Sequence, residues 1–499
     1  MIDIMGNKFF FFKIINLYKY KKIGYYLIII FMIIQGVKCE TSGAVISSYI
    51  ISNNSIDLRN ERINGDIDVK NKLVCGSIQI EDSEIDGNLL FGGSIFQNCV
   101  SIRNTTILGK SYFNNSLFYD QVDFEKSRFS DFANFRDSTF FDMANFKNAS
   151  FDEANFVESI FSDDALFSRC NFSAVSKFNG ANFNKYVTFA DSRFYHMAFF
   201  SETTYKGYAL FERAKFYYYA YFGNAFMSED VDFFETMFRE DAHFSNLKAL
   251  KEVDFSKSDF SKKANFRDAR FSGYANFKNA SFQNLILNGA IFNQFYLPWK
   301  NVKGKLDCDE SLYLHMISTY KDLGLFDDAD DCYYYFKNNY RQSYKFNDLI
   351  EPILGELYGW GVKPLNTIKW SIIFILIFGL YFWLLHILNN LQCGEGRSDL
   401  PETKYSESHQ NGTVQSIDKD STDLHVASFF SVVWSTFLSL TMCLIFSARI
   451  YASALTSIIE GPSLHGTRSN IAKLEKLLAH LMAFLFLIAI SKTILREII

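Results

Sequence analysis

The sequence predicts an all-β solenoid, followed by a helical hairpin and an α-helical membrane region. Three observations lead there. Apolar residues recur in steps of five and six from Leu58 to Phe292, small residues sit two positions before many of them, and the last third carries three long apolar runs. Phe occurs 55 times and Pro only 5 times in 499 residues, a bias that needs a structural cause.

The chain opens with a basic flank (Lys13, Lys19, Lys21, Lys22) before the apolar run "IGYYLIIIFMIIQGVKC". Residues 1–39 therefore read as a secretory signal peptide or an uncleaved N-terminal anchor, and either would send the adjoining chain to the outer face. Lys38 precedes Cys39 where lipoprotein processing needs a small residue, so a lipid-modified cysteine is set aside. Cys39, Cys75, Cys99, Cys170, Cys308, Cys332, Cys393 and Cys443 form no CxxC pair and no zinc-like spacing with His, and read as scattered small apolar residues.

The apolar series begins Leu58, Ile63, Val69, Val74, Ile80, Ile85, Phe91, Phe96 and ends Phe277, Phe282, Leu287, Phe292. It has 44 slots, 32 of them Phe, with Tyr205, Met227, Ala249 and Leu287 as late substitutes. Three consecutive fives from Phe146 to Phe161 shift its phase once. Residues five and six apart lie about 140° and 240° round an α-helix, which would scatter the apolar side chains. An eleven-residue coiled coil needs internal steps of three or four, and an ordinary strand alternates every two residues before it turns. A solenoid satisfies the pattern if each slot is the middle of one short side and points to the axis. Ala133, Ala144, Ala154, Ser116, Ser127 and Ser138, each two before a slot, then also point inward, because side chains two apart share a face.

At "ANFKNASFDEANF" the sequence resembles the pentapeptide-repeat family, in its Phe-centred form. The resemblance implies a right-handed quadrilateral β-helix over 51–296, with four repeats per coil. The extra residue in alternate repeats should bulge two of the four corners. Four slots per coil give 11 coils from the 44 slots, about 50 Å of rod at the usual strand spacing.

No residue of the rod stands out as catalytic, cofactor-binding or metal-binding. His196 and His243 are 47 residues apart, and Asp152–Glu153 and Asp163–Asp164 read as surface acids of the repeat. Some relatives mimic DNA with an acidic surface, but residues 51–300 hold 32 acids and 27 bases, too balanced for mimicry and uninviting to nucleic acid. The cluster "FYYYAYF" (Phe216–Phe222) should expose two or three rings, as a binding patch or a wider corner. Sequons at Asn53, Asn104, Asn114, Asn148, Asn171 and Asn279 suit an exported rod, although Asn and Ser are what the repeat uses anyway.

After the rod the period changes. Leu312, Met316 and Tyr320 form one helical stripe, and Ala329, Cys332, Tyr333 and Phe336 another, with "DLGLF" as the turn. This hairpin (308–345) is similar to the tetratricopeptide-like hairpin found after pentapeptide repeats in prokaryotic membrane relatives, and reads as a cap and coupling element. Residues 368–388 form a membrane helix flanked by Trp370 and Trp383, 389–425 a polar disordered loop, 426–446 a transmembrane or re-entrant helix, and 474–495 a third membrane helix.

This tail is similar to the two-helix, potassium-channel-like module of some prokaryotic pentapeptide-repeat proteins, with "FFSVVWSTF" in the place of the pore helix. A potassium filter needs a TVGYG-type loop of carbonyls, whereas after Phe437 no glycine occurs until Gly461. Ser435, Thr436, Ser439, Thr441 and His480 are polar residues in the membrane segments, either lining a path or bonding back into their own helices.

No nucleophile with a base, metal cluster or phosphate-binding glycine loop is visible, and no cofactor is implied. The expectation is a non-catalytic, membrane-anchored protein of a prokaryotic cell membrane. Its rod would lie outside the cytoplasm and display itself to protein partners or envelope components, with the lipid bilayer as the other partner. The alternative is a channel-like or mechanosensing membrane module regulated by the rod.

Overall fold

The computed structural model describes residues 41–339, 350–394, 421–455 and 467–498. The segment 1–39 falls outside the described residues, as do 340–345 of the expected hairpin and 395–420 of the expected loop. The chain divides into two compact units, 1–329 and 330–499.

The first unit holds a parallel β-solenoid of about 12 turns. Four ladders run along it, one to each side of the coil. Ile85, Ile107, Phe129 and Phe151 pair in succession along one, and Phe96, Phe118, Phe140 and Phe161 along another. The smaller residues form the other two, such as Ser111–Ala133–Ala154 and Val122–Ala144–Ala165. Partners usually lie 22 residues apart, as in Phe118↔Phe140, so one turn consists of two five-residue and two six-residue steps. Where the three fives occur the spacing is 21 (Phe140↔Phe161), and the lost residue comes out of a corner without breaking the ladder. The rod also runs beyond the slot series. Thr41–Ser42 pairs with Ile63–Asn64, and Leu306–Asp307 pairs with Leu285–Ile286. These end strands carry no Phe slot because they face the caps.

Two alternate corners are built as hydrogen-bonded turns with one residue at positive φ, recurring about every eleven residues. In the turn Phe135–Ser138, the Ser138 N–H donates to the Phe135 carbonyl at 3.2 Å and Asp137 has φ 56°. Asn60, Asn71, Asn104, Asn115 and Asn148 hold the same place, as do Lys126 and Arg169. Asn and Asp tolerate this conformation best, and the longer side chains accept it only because the ladders on both sides fix the turn. The six-residue corners bulge without such a residue, and the ladders register this as shifts at Phe260/Lys263 and Phe271/Tyr274.

Phenylalanine fills the axis. Phe156 is fully buried, stacked on Phe135 at 4.7 Å and on Phe178 at 4.9 Å between ring centroids, with Phe146 and Phe167 edge-on at 5.5 Å and 5.3 Å. The inward serines close a gap that composition does not reveal. Ser116, Ser127, Ser138, Ser159 and Ser192 are buried and donate to the carbonyls of Phe91, Ile102, Phe113, Phe135 and Phe167 at 2.6–2.9 Å. A small residue is required there for space, and a hydroxyl also satisfies a buried acceptor.

Both ends are covered. Helix α1 (Gly43–Ile51) buries Ile46 and Ile50 at the start. Gly43 lets it approach the first coil closely, since a Cβ would stand 2.4 Å from the Gly65 carbonyl oxygen. At the far end a helical turn (Trp299–Val302) and α2 (Glu310–Asp322) bury Trp299, Tyr313 and Tyr320. The Tyr320 hydroxyl donates to the Leu297 carbonyl.

Helix α3 (Phe326–Asn339) spans the division between the units, and α4 (Ile350–Tyr358) opens the helical part of the second unit. Three long helices complete it: α5 (Pro364–Gly394), α6 (Ser421–Leu455) and α7 (Thr467–Ile498). Each has a stretch long and apolar enough to cross a bilayer, at Pro364–Leu388, Val433–Ala454 and Ser469–Ser491. The helices continue to Gly394 and restart at Ser421, so the ends of the expected 389–425 loop are helical. Residues 426–446 lie within α6, which is one continuous helix from Ser421 to Leu455. The bundle core gathers Leu357, Tyr451, Ala479, Met482 and Leu485, with Phe382, Ile450 and Ala472 beside them.

Candidate functional site

Ladder geometry turns the residues that the sequence separates into columns, because each outward side chain sits above the one a turn earlier. The "FYYYAYF" cluster becomes part of a wider aromatic surface. Tyr195 stacks on Tyr217 at 5.0 Å, and His196 on Tyr218 at 5.1 Å. Phe199, Tyr221 and His243 form a three-ring column with both spacings 4.9 Å. Tyr219 lies edge-on to Tyr218 at 4.6 Å and tilted against Tyr221 at 6.2 Å, bridging the two columns. Tyr195, Tyr217 and Tyr218 are exposed, at 49%, 36% and 37% of their surface. His196 and His243 thus belong to one aromatic face, about two turns apart. Half-burial in this column holds His243 below the ordinary imidazole pKa. Sequence reading found the Tyr run but not its neighbours, since only the 22-residue register brings them together.

The acidic pairs resolve into charge ladders. The Lys185 amine donates to Asp163 at 2.6 Å, and that hydrogen bond, helped by the Asp164 N–H, holds the carboxyl below the usual range. Lys177 pairs with Glu153 at 3.1 Å. Arg213 grips Asp191 through two nitrogens, at 2.8 Å and 3.2 Å, and likewise lowers its pKa. Such pairs fix corners and are worth little singly in water. Three sequon asparagines (Asn104, Asn148, Asn279) are positive-φ corner residues, which accounts for their recurrence, and Asn53 takes a positive φ just past the end of α1. Among the described residues no group of three or more His, Cys, Asp or Glu could hold a metal ion. Of the described cysteines, Cys170, Cys308 and Cys332 are buried, and Cys75, Cys99 and Cys443 half-buried.

In the second unit, "GWG" forms an elbow ahead of α5. Gly359, Trp360 and Gly361 all have positive φ, a rare conformation for a bulky residue such as Trp360. The indole N–H donates to Asn338 of α3 at 3.1 Å. The Lys363 amine pairs with Asp331 at 3.0 Å and lies 4.1 Å from the centre of the Tyr334 ring. Residues 331–338 of α3 are therefore fastened to the elbow and the start of α5 within the second unit.

The hydroxyls singled out in the membrane helices mostly turn inward on their own backbone. Thr436 donates to Val433, Ser439 to Thr436 and Thr441 to Leu438, each at 2.8 Å. Ser439 also accepts from the Trp383 indole at 3.0 Å, and His480 contacts its own-helix carbonyl of Lys476. The residue that sequence reading missed is Glu475. It is fully buried between Ala472 and Ala479 on the packed face of α7, hydrogen-bonded to the Ser447 hydroxyl of α6, and its second carboxyl oxygen has no partner among the described residues. A carboxyl on the same stripe as two buried alanines was the available signal.

A β-solenoid with a Phe axis, five- and six-residue sides and polar corners defines the class: a repeat protein whose fold is generally structural. The rod is built of pentapeptide repeats, and the family model described as "Pentapeptide repeats (9 copies)" matches residues 91–139, 124–170, 156–204 and 255–295. No curated protein and no solved structure matches the chain.

Proposed function

We propose that this chain is a non-catalytic membrane-anchored protein that displays its rod for binding or scaffolding at the cell surface. The aromatic face Tyr195–Tyr217–Tyr218–Tyr221–His243 carries the reading. Rings that are large, pre-ordered by stacking and half exposed are suited to contact with a partner, because little side-chain entropy remains to be lost. The remaining outward positions named above are charge ladders and Asn corners, which stay solvated. An envelope component or a surface protein is the partner class.

A photo-crosslinking amino acid in place of Tyr217 tests this in living cells, with the same group in place of Ile160, exposed on another side of the rod, as reference. Adducts at the aromatic face alone are expected. Equal yields at both positions, or none at either, would remove the aromatic face from the reading.

The basic residues around the three spans do not choose a side for the rod: Lys363, Lys369, Arg449, Arg468, Lys473 and Lys476 at the end nearest the rod in sequence are matched by Arg397, Lys404, Lys419, Lys492 and Arg496 at the other end. The channel-like alternative has less support, since the unbroken α6 supplies no filter loop.

A further inference from the structure

We propose that Glu475 is a proton-exchange site inside the membrane bundle, and that Ser447 couples its protonation to the packing of α5 against α6. The geometry around Ser447 carries this. Its single hydroxyl proton faces two acceptors, the Ile375 carbonyl of α5 at 3.0 Å and the Glu475 carboxyl of α7. With a proton on Glu475, the carboxyl O–H donates to the Ser447 oxygen and Ser447 donates onward to Ile375, so one chain of hydrogen bonds ties three helices. With the proton gone, Ser447 donates to the carboxylate and the link to Ile375 is released. The proton moves to and from water, and no other bond forms or breaks.

The surroundings fit a site that exchanges a proton and not a structural ion pair. Among the described residues no basic side chain lies within ion-pair distance of Glu475, and its second oxygen is buried without a partner. A fixed buried carboxylate of that kind is costly, and ionisable groups at membrane depth are retained mainly where they work. Helix α5 presents to this region the hydroxyls of Thr367 and Ser371 and the Ile375 carbonyl. Helix α6 presents Ser447 and Tyr451, and Tyr451 is the titratable group within electrostatic reach of the carboxyl. Arg449 on α6 and Lys473 on α7 are exposed.

One helical turn from the Ser447–Ile375 pair, toward the Pro364 end, the Tyr451 hydroxyl donates to Ser371 at 2.7 Å. Ser371 in turn donates to the Thr367 carbonyl at 2.8 Å, and Thr367 to Pro364 at 2.6 Å. The Tyr451 and Ser371 hydroxyls thus lie one helical turn from Ser447 on the Pro364 side, the nearest polar groups through which water could reach the carboxyl.

The test is infrared difference spectroscopy of the full-length chain in phospholipid vesicles, titrated from alkaline to acidic pH. A carboxylic-acid C=O band that grows on acidification, is lost in Glu475→Gln and is shifted in Ser447→Ala is expected. No band that separates the parent from Glu475→Gln would overturn the proposal. Because that variant could fail to assemble, the unmodified chain is also treated with dicyclohexylcarbodiimide. The protonated carboxyl O–H adds across a C=N bond of this reagent, and the adduct is mapped by mass spectrometry. Labelling at Glu475 that falls about tenfold per pH unit above the midpoint supports exchange. Labelling that is absent, or independent of pH relative to an exposed carboxyl, contradicts it.

Discussion

Truncating one axial ring tests the core most severely. In Phe156→Ala the two parallel stacks to Phe135 and Phe178 disappear, together with the edge contacts to Phe146, Phe151 and Phe167. The site cannot collapse, because the ladders above and below hold the backbone at a fixed spacing. A buried Phe→Ala change of this kind costs about 3–5 kcal/mol. At about 1.4 kcal/mol per factor of ten, that corresponds to local amide exchange faster by roughly 10² to 4 × 10³. Hydrogen exchange read by mass spectrometry on the full-length chain resolves where the loss falls. In a solenoid each turn touches only its neighbours, so the turns containing Phe135, Phe156 and Phe178 should lose protection first. Phe141→Ala is the control: its ring is 43% exposed and stacked outward on Tyr119, so the change should be at most about 1 kcal/mol. If Phe156→Ala and Phe141→Ala exchange alike, the axis is not what holds the rod.

Three further outcomes are expected. Ser138→Ala strands the buried Phe113 carbonyl, which now accepts the Ser138 hydroxyl at 2.6 Å, and should cost about 1–3 kcal/mol by the same exchange measurement. Lys126→Gly relieves a positive φ of 58° and loses only an exposed pair with Glu125; a gain of about 0.5–1 kcal/mol in urea denaturation is expected, and Lys126→Ala should give none. Asp191 has its folded pKa lowered by Arg213, so its contribution is present above the ordinary carboxylate pKa and is lost as pH falls through the folded value. Asp191→Asn should flatten that acid limb of a stability-against-pH profile, and an unchanged limb would mean the pair contributes nothing.

Much of the rod was legible because every turn imposes the same steric demand, so Phe at the slot and a small residue two before it recur over long stretches. What decides the corners was not legible. A positive-φ position that accepts Asn71, Asp137, Lys126, Glu158 and Arg169 alike leaves no residue signature, and only its spacing betrays it. Helix α1 escaped because nine residues with two buried isoleucines give a weak period beside the repeat. The second membrane span was expected to end at Phe446, where Ser447 and Arg449 lower the apolarity. The helix runs on to Leu455 because Ser447 is buried against Glu475, while Arg449 is exposed. Glu475 itself was hidden among Lys473 and Lys476, which read together as the charged start of a helix.

The proposed display of the rod at the cell surface requires it to stand on the outer side of the bilayer, and that side can be read directly. An epitope tag in the loop at Lys303–Lys305 suits the measurement, since these residues are exposed and the space around Gly304 is open. Antibody staining of intact, unpermeabilised cells is the predicted result. Staining only after permeabilisation would place the rod in the cytoplasm and contradict the account.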